Sequence, residues 1–339
     1  MPPALDHLTA FHRTFREAHS LSQQLVRREF RRQDPAIAEL MQYILRKQST
    51  SEYPFVFQYS FCRKESDGRR VGRLAAAVQL LQSSALVTDD IFDDARLRYG
   101  QPAVHVRYGV SGAILAAELM QSVALKVLGE ELERGRFRNK LAVGNLFNQI
   151  VLDLYRGQYL DVANTANLKM ARREYDRVIA LGVGNYVANV AKCGGLLAGK
   201  SPREVASLER YGYHYGMAVF ITDDIVDVRP PAVTGKSYAM DLRNRRMRLP
   251  VILALRMASR RDAAFLRSLY GKARPAARDV RRAVGILRRG GALTACKREA
   301  ARHVSRALAA LRGLRQSMPV ARLRWLAETL MQAQGLEDE

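Results

Sequence analysis

The sequence predicts an all-α chain: one domain over residues 1–339, built as a bundle of long helices around a central cavity. Three observations predict it. Apolar residues recur at three- and four-residue spacing almost throughout. Strand-like alternation is nearly absent. Prolines and glycines fall where helices start or stop rather than in a linker tract.

In chain order, the first helical pattern covers 4–31 and gives way at Asp34-Pro35, which opens a second over 35–48. Tyr53 to Phe61 is rich in Tyr, Phe and Val and locally suggests a strand. It stands isolated between helices, so a buried helix is expected. Helical patterns follow at 69–92, 109–133, 137–165 and 171–198, the last closed by Gly199. Ser201-Pro202 opens 202–227, and Pro230-Pro231 interrupts the chain after it. The remaining patterns are 248–257, 262–271, 276–289, 291–315 and 319–334, with Gly290-Gly291 as a stop.

Two acidic clusters interrupt apolar helical runs: Asp89-Asp90-Ile91-Phe92-Asp93-Asp94 and Asp223-Asp224-Ile225-Val226-Asp227. On a helix, Asp89 and Asp93 share a face, as do Asp223 and Asp227. Carboxylates stacked beside buried surface repel one another unless hard cations sit between them. One such cluster alone reads as a solvated helix end. Two copies in apolar runs predict facing helices that clamp Mg²⁺, an oxygen-loving ion that keeps room for phosphate oxygens.

The bulk properties limit the other classes. Hydrophobic residues make up 48% of the chain, ample for a core. No run approaches the ~20 consecutive apolar residues of a membrane span. The N-terminus lacks an apolar signal region, and Asp6, Glu17 and Glu29 argue against a transit peptide. Cys62, Cys193 and Cys296 are scattered without zinc spacing, so a cytoplasmic location with free thiols is expected. The net charge of +22, with arginines crowded from Arg256 to Arg315, fits a solvated surface or contact with an acidic membrane surface. Nucleic acid is the least favoured partner, because no binding signature accompanies the charge.

The order of elements resembles the trans-isoprenyl diphosphate synthase (polyprenyl synthetase) family. The first cluster continues as Ala95-Arg96-Leu97-Arg98-Tyr99-Gly100-Gln101-Pro102-Ala103-Val104-His105; Gly157-Gln158-Tyr159-Leu160-Asp161 follows in mid-chain. The second cluster is followed by Gly235-Lys236, Asp241-Leu242 and Leu249-Pro250. The resemblance implies a homodimeric all-α fold in which three Mg²⁺ ions hold an allylic prenyl diphosphate whose C–O bond ionises. It implies Asp89, Asp93 and Asp223 as direct metal ligands, and Asp90, Asp224 and Asp227 as ligands direct or through water. Arg98 and Lys236 would hold diphosphate oxygens, with Gln158 assisting.

The chain departs from that family where the second substrate, isopentenyl diphosphate, is bound. Ser49-Thr50-Ser51-Glu52-Tyr53-Pro54-Phe55 stands in place of a Gly-Lys-x-x-Arg-Pro element, and Arg46-Lys47 is out of register. Tyr99 replaces the second of paired arginines, Val219-Phe220 replaces Phe-Gln, and Gly182-Val183 replaces Lys-Thr. Gln82 remains compatible with that site. A diphosphate is not desolvated into a pocket without matching cations. Tyr99 and Phe220 either fill space or offer aromatic faces to a carbocation, worth ~2 kcal/mol or more when desolvated.

The expectation that follows is a Mg²⁺-dependent enzyme that ionises an allylic diphosphate without isopentenyl elongation, with terpene cyclisation preferred. Transfer to another acceptor is the alternative, ordinary chain elongation the next, and a non-catalytic regulatory subunit the least favoured because the aspartate clusters are whole. Ser84 and Ala85, both small, precede the first cluster at the positions that floor the family's prenyl pocket, so a C15–C20 or longer substrate is expected.

Overall fold

The computed structural model describes residues 3–30, 34–46, 51–230, 238–333 and 335–336. Helices α1 (Pro3–Phe30), α2 (Pro35–Arg46) and α3 (Glu52–Phe61) open the chain. The Tyr53–Phe61 stretch is the buried helix expected: Pro54 to Phe61 are all buried. A helix apolar all round fits only inside a bundle. A 3₁₀ turn (Glu65–Val71) leads into α4 (Gly72–Phe92), which ends in the first aspartate cluster.

A hairpin of two-residue strands, β1 (Leu97–Arg98) and β2 (Gln101–Pro102), was not anticipated. Its turn residues, Tyr99 and Gly100, both take positive φ, 51° and 75°. That is a tight primed turn with a bulky residue where glycine or asparagine is ordinary.

Next come α5 (Val104–Arg134), kinked at Gly109, and α6 (Lys140–Ala163). The expected 171–198 helix is broken into α7 (Arg172–Ile179), a π turn (Ala180–Gly184) and α8 (Asn185–Leu197). Helix α9 (Pro202–Val226) carries the second cluster. Its start is fixed by Ser201, whose hydroxyl accepts from the Glu204 N–H while the Glu204 carboxylate accepts from the Ser201 N–H. A single-turn helix, α10 (Met240–Arg243), precedes α11 (Leu249–Met257), α12 (Arg260–Tyr270), α13 (Ala277–Arg289), α14 (Ala292–Leu311), α15 (Met318–Glu328) and α16 (Leu330–Ala333).

Two apolar clusters meet along α9. The larger gathers α1 to α6 with α8 and α15; the smaller gathers α7 and α10 to α14 around Ile221 and Ile225. Buried tyrosines satisfy their hydroxyls on distant carbonyls, as when Tyr211 donates to Leu323 O at 2.7 Å. Helix α5 is an exception to the absence of membrane-length apolar sequence, since by length and composition it could cross a bilayer. Its Ala113, Ala116, Ala117, Met120 and Ala124 are buried in the larger cluster. All three cysteines are free and buried.

Glycines let backbones touch at two helix seams, α3 against α8 and α8 against α9. A Cβ on Gly194 would lie 2.6 Å from Phe57 O, and one on Gly212 would lie 2.4 Å from Val187 O. Arg322, 1% exposed in its side chain, donates to Asp6 (2.7 Å) and Glu65 (3.0 Å), tying α15 to α1 and to the 3₁₀ turn.

His214 and His303 meet Nδ1 to Nδ1 at 3.1 Å, so one ring must be the acceptor. Burial, then the charge of His303, pushes His214 down to about 4, and burial lowers His303 as well. Both folded values lie below the unfolded ~6.5, so the unfolded chain takes up protons first as pH falls. The pair's contribution is fully present above ~6.5 and is lost toward about 4. His214→Gln is therefore expected to lose less melting temperature than the parent between pH 7 and pH 5. Equal losses in the two proteins would rule the pair out as a source of acid sensitivity.

Candidate active site

The first cluster splits by helical face. Asp90 is 2% exposed and pairs through both oxygens with the Arg98 guanidinium, Nε to Oδ1 at 2.9 Å. Arg98 thus neutralises Asp90 in this structure. Asp89 and Asp93 lie half-buried, one turn apart. Burial, then the neighbouring charges of Asp89 and Asp241, pushes Asp93 up to about 7. Burial also raises Asp89, against the pull of Arg98 and Arg248. Such a pair gains from any cation placed beside it.

The second cluster divides differently. Asp224 is 3% exposed, and its Oδ2 accepts from the Tyr175 hydroxyl (2.7 Å) and the Leu249 N–H (3.1 Å). Asp227 accepts from the backbone N–H groups of Met240 (2.9 Å) and Asp241 (3.2 Å), which fixes the chain entering α10. Asp223 is the exposed member of the three.

Two arginines between α10 and α11 join the clusters. Arg246 Nη2 lies 3.0 Å from Asp93 Oδ1, and its Nη1 lies 3.5 Å from Asp161 Oδ2. Arg248 reaches Asp161 (2.5 Å), Asp241 (3.0 Å) and Asp224 (3.7 Å). The chain Asp93–Arg246–Asp161–Arg248–Asp224 thus spans from α4 through α6 to α9. Among the described residues no three acidic, imidazole or thiolate groups converge as a ready-made metal cage. The half-buried carboxylates of the first cluster, Asp89 and Asp93, suit Mg²⁺ delivered with a diphosphate that completes its oxygen shell. The second cluster suits it less, because Asp224 and Asp227 are already engaged.

Gln158 lies partly exposed on α6, one turn before Asp161. Lys236 lies outside the described residues. Phe220 and Tyr99 are not bare walls: the Arg248 guanidinium stands over the Phe220 ring at 5.2 Å, and that of Arg98 over Tyr99 at 5.8 Å. A cation of the chain itself thus already lies over one face of each ring. Gln82 is tied to Ser51 by a hydrogen bond from the serine hydroxyl. Ser84 is buried and Ala85 half-buried, as small floor residues require, but Tyr155 of α6 stands within hydrogen-bonding reach of Ser84.

Sequence reasoning missed Arg246, Arg248, Asp241 and Tyr175 as site residues, and passed over Asp161. The available signal was two arginines set between Asp241-Leu242 and Leu249-Pro250, just ahead of a helix start and within reach of an acidic cluster.

The polyprenyl synthetase family model matches residues 34–287. The chain is 32% identical over 260 residues to a short chain isoprenyl diphosphate synthase of Methanothermobacter thermautotrophicus, covering 76% of this chain and 78% of that one. It superposes on geranylgeranyl pyrophosphate synthetase from Pyrococcus horikoshii with TM-score 0.84 and 25% identity, over 98% and 100% of the two chains. It also superposes on geranylgeranyl pyrophosphate synthase from Corynebacterium glutamicum, complexed with isoprenyl diphosphate and magnesium, with TM-score 0.85 and 22% identity over 97% and 99%.

Proposed function

Because the chain belongs to the polyprenyl synthetase family, we propose that it is a chain-elongating prenyl diphosphate synthase that ionises an allylic diphosphate and joins it to isopentenyl diphosphate. The observation that carries this reading is the Asp93–Arg246–Asp161–Arg248–Asp224 bridge, which brings both acidic clusters to one charged cleft. Cyclisation, favoured on sequence, gives way to elongation. The similar proteins are diphosphate synthases by name, and guanidinium groups stand over Phe220 and Tyr99.

Asp89, Asp93 and Asp223 are the carboxylates that would hold Mg²⁺, as a Corynebacterium glutamicum synthase is complexed with magnesium. When bound, that ion supplies Lewis-acid stabilisation of the departing diphosphate. The protein's own groups position it. Arg98 keeps Asp90 paired and buried, which leaves Asp89 and Asp93 as the accessible carboxylates of the first cluster. Arg246 and Arg248 place fixed positive charge between the clusters, where a diphosphate's charge would develop. Small Ser84 and Ala85 support an allylic chain of C15–C20 or longer. Exposed Val110, Ile114 and Leu115 on α5 and Leu141, Leu152 and Tyr159 on α6 support a homodimer, since such apolar area is rarely left to water.

A second reading, transfer to an acceptor other than isopentenyl diphosphate, is favoured by one observation. The start of α3 beside Gln82 presents the neutral Ser51. Incubation with Mg²⁺ and farnesyl or geranylgeranyl diphosphate, with and without isopentenyl diphosphate, separates the two. Elongation gives a linear diphosphate five carbons longer and consumes the isopentenyl substrate. Diphosphate release that ignores isopentenyl diphosphate would move the protein to the second reading.

A further inference from the structure

Charge is spread unevenly along this chain. Between residues 256 and 315 there are seventeen lysines and arginines but only three acids, Asp262, Asp279 and Glu299. Two of those acids are already engaged: Asp279 with Lys272 at 2.6 Å, and Glu299 with Arg172 at 3.2 Å and Arg302 at 2.8 Å. Helix α13 gathers the excess on one side. Its Val280, Ala283, Val284, Ile286 and Leu287 are buried, while Arg278, Arg281, Arg282, Arg288 and Arg289 are exposed. At helical spacing these five share one face. Among the described residues no carboxylate forms an ion pair with Arg281, Arg282, Arg288 or Arg289, and Arg278 has only Asp279 at 4.0 Å. Like charges three and four residues apart destabilise a bare helix, and anions laid along it remove that penalty.

The row is anchored and extended. The Arg282 guanidinium covers the Phe265 ring of α12 at 3.8 Å, and Arg288 donates to Val228 O at 3.3 Å. Arg260, Arg261 and Arg267 of α12, with Lys272 and Arg274 of the connection, are exposed and lengthen the field. Met257, 47% exposed, lies at the end of the row: its Cε is 3.6 Å from where a Cβ on Gly291 would stand. An apolar side chain beside cations suits the boundary between headgroups and acyl chains. Nucleic acid is matched less well, because neither helix exposes a ring for bases to stack on. Phe265 lies under Arg282, and Tyr270 is buried. Helix α13 packs on α10, α11, α12 and α14, so pairing of two chains through α5 and α6 does not use the arginine face.

We propose that the arginine face of α12 and α13 is a docking surface for a bilayer containing anionic phospholipid, with Met257 entering the headgroup boundary. The Arg288 bond to Val228 sets that face at the edge of the second aspartate cluster, one residue beyond Asp227. A prenyl diphosphate released there meets lipid rather than bulk water. That advantage rests on the prenyl reaction proposed above; the docking does not.

The test is flotation. The full chain is mixed, at physiological ionic strength, with vesicles of phosphatidylcholine alone or with phosphatidylglycerol added. The parent should float only with the anionic vesicles, and less as salt rises. The triple variant Arg278→Gln, Arg281→Gln, Arg289→Gln spares the two anchored arginines. It should weaken binding by on the order of 10²-fold, with no loss of melting temperature. A control triple, Arg16→Gln, Arg28→Gln, Arg203→Gln, removes the same charge from exposed sites on α1 and α9 and should weaken binding less than about threefold. Met257→Ser should weaken it by roughly three- to tenfold. Equal losses in the two triples would overturn the face and leave only net charge. Equal flotation with both vesicle types would overturn the requirement for anionic lipid. Displacement of the parent by RNA at equal phosphate concentration would assign the arginines to nucleic acid instead. A parent that floats with neither would overturn the proposal outright, while prenyl transfer measured in solution would still report on the cleft.

Discussion

Asp89→Ala is expected to cut diphosphate release by on the order of 10²–10³-fold or more, with no loss of melting temperature. The carboxylate stands half-buried on the cleft face of α4, where burial and the charges of Asp90 and Asp161 disfavour its ionised form. Removing it relieves repulsion in the protein alone and costs only the cation it would hold. Asp90→Ala gives the opposite signature. It strands the Arg98 guanidinium that Asp90 neutralises, so the melting temperature should fall along with activity. Single-turnover release of diphosphate and thermal melts of the two variants, side by side, separate the roles. Near-parental turnover in Asp89→Ala would remove the first cluster from the chemistry.

Gly212→Ala carries the largest expected effect on stability. A Cβ there would meet backbone atoms of α8, with Val187 O at 2.4 Å, Val187 C at 2.8 Å and Ala188 Cα at 2.9 Å. Backbone cannot turn aside as a flexible side chain can, so α8 and α9 must separate along their seam. The expected loss is about 2–3 kcal/mol, or roughly 3–4 °C in melting temperature for a chain of this length. Gly129→Ala is the matched control. It lies within α5 with nothing within 4 Å of its added Cβ, so it should gain about 0.5–1 kcal/mol through helix propensity. Loss of stability in both variants would mean that the seam is not what makes Gly212 sensitive.

The helices were legible because their apolar periodicity is strong and their ends are marked, as at Ser201-Pro202. The aspartate clusters were legible because acids inside apolar runs have few structural uses. What stayed hidden depended on geometry between segments. Two-residue strands are too short to show alternation, so the Leu97–Pro102 hairpin left no trace. The π turn at Ala180–Gly184 keeps its neighbours' periodicity nearly intact, and only backbone dihedrals reveal it. The division of labour within each cluster was equally invisible. The family resemblance keeps both Asp89 and Asp90 among the ligands, but only the folded chain shows Arg98 claiming one of them. Arg246 and Arg248 read in sequence as two more positive charges in a chain of net +22.

The Arg322 tie has a consequence for the order of folding. Its bond to Asp6 joins residues 316 positions apart, a very long loop to close. During synthesis α1 can settle against α2, α3 and α4 early, because those partners are close in sequence. Its fastening to α15 must wait until residue 322 has been made. Until then Asp6 and Glu65 face each other's surroundings without the guanidinium that later lies between them. The nascent protein therefore passes through a stage in which its first helix is docked but not latched, and release of the last two helices from the ribosome is the event that locks it.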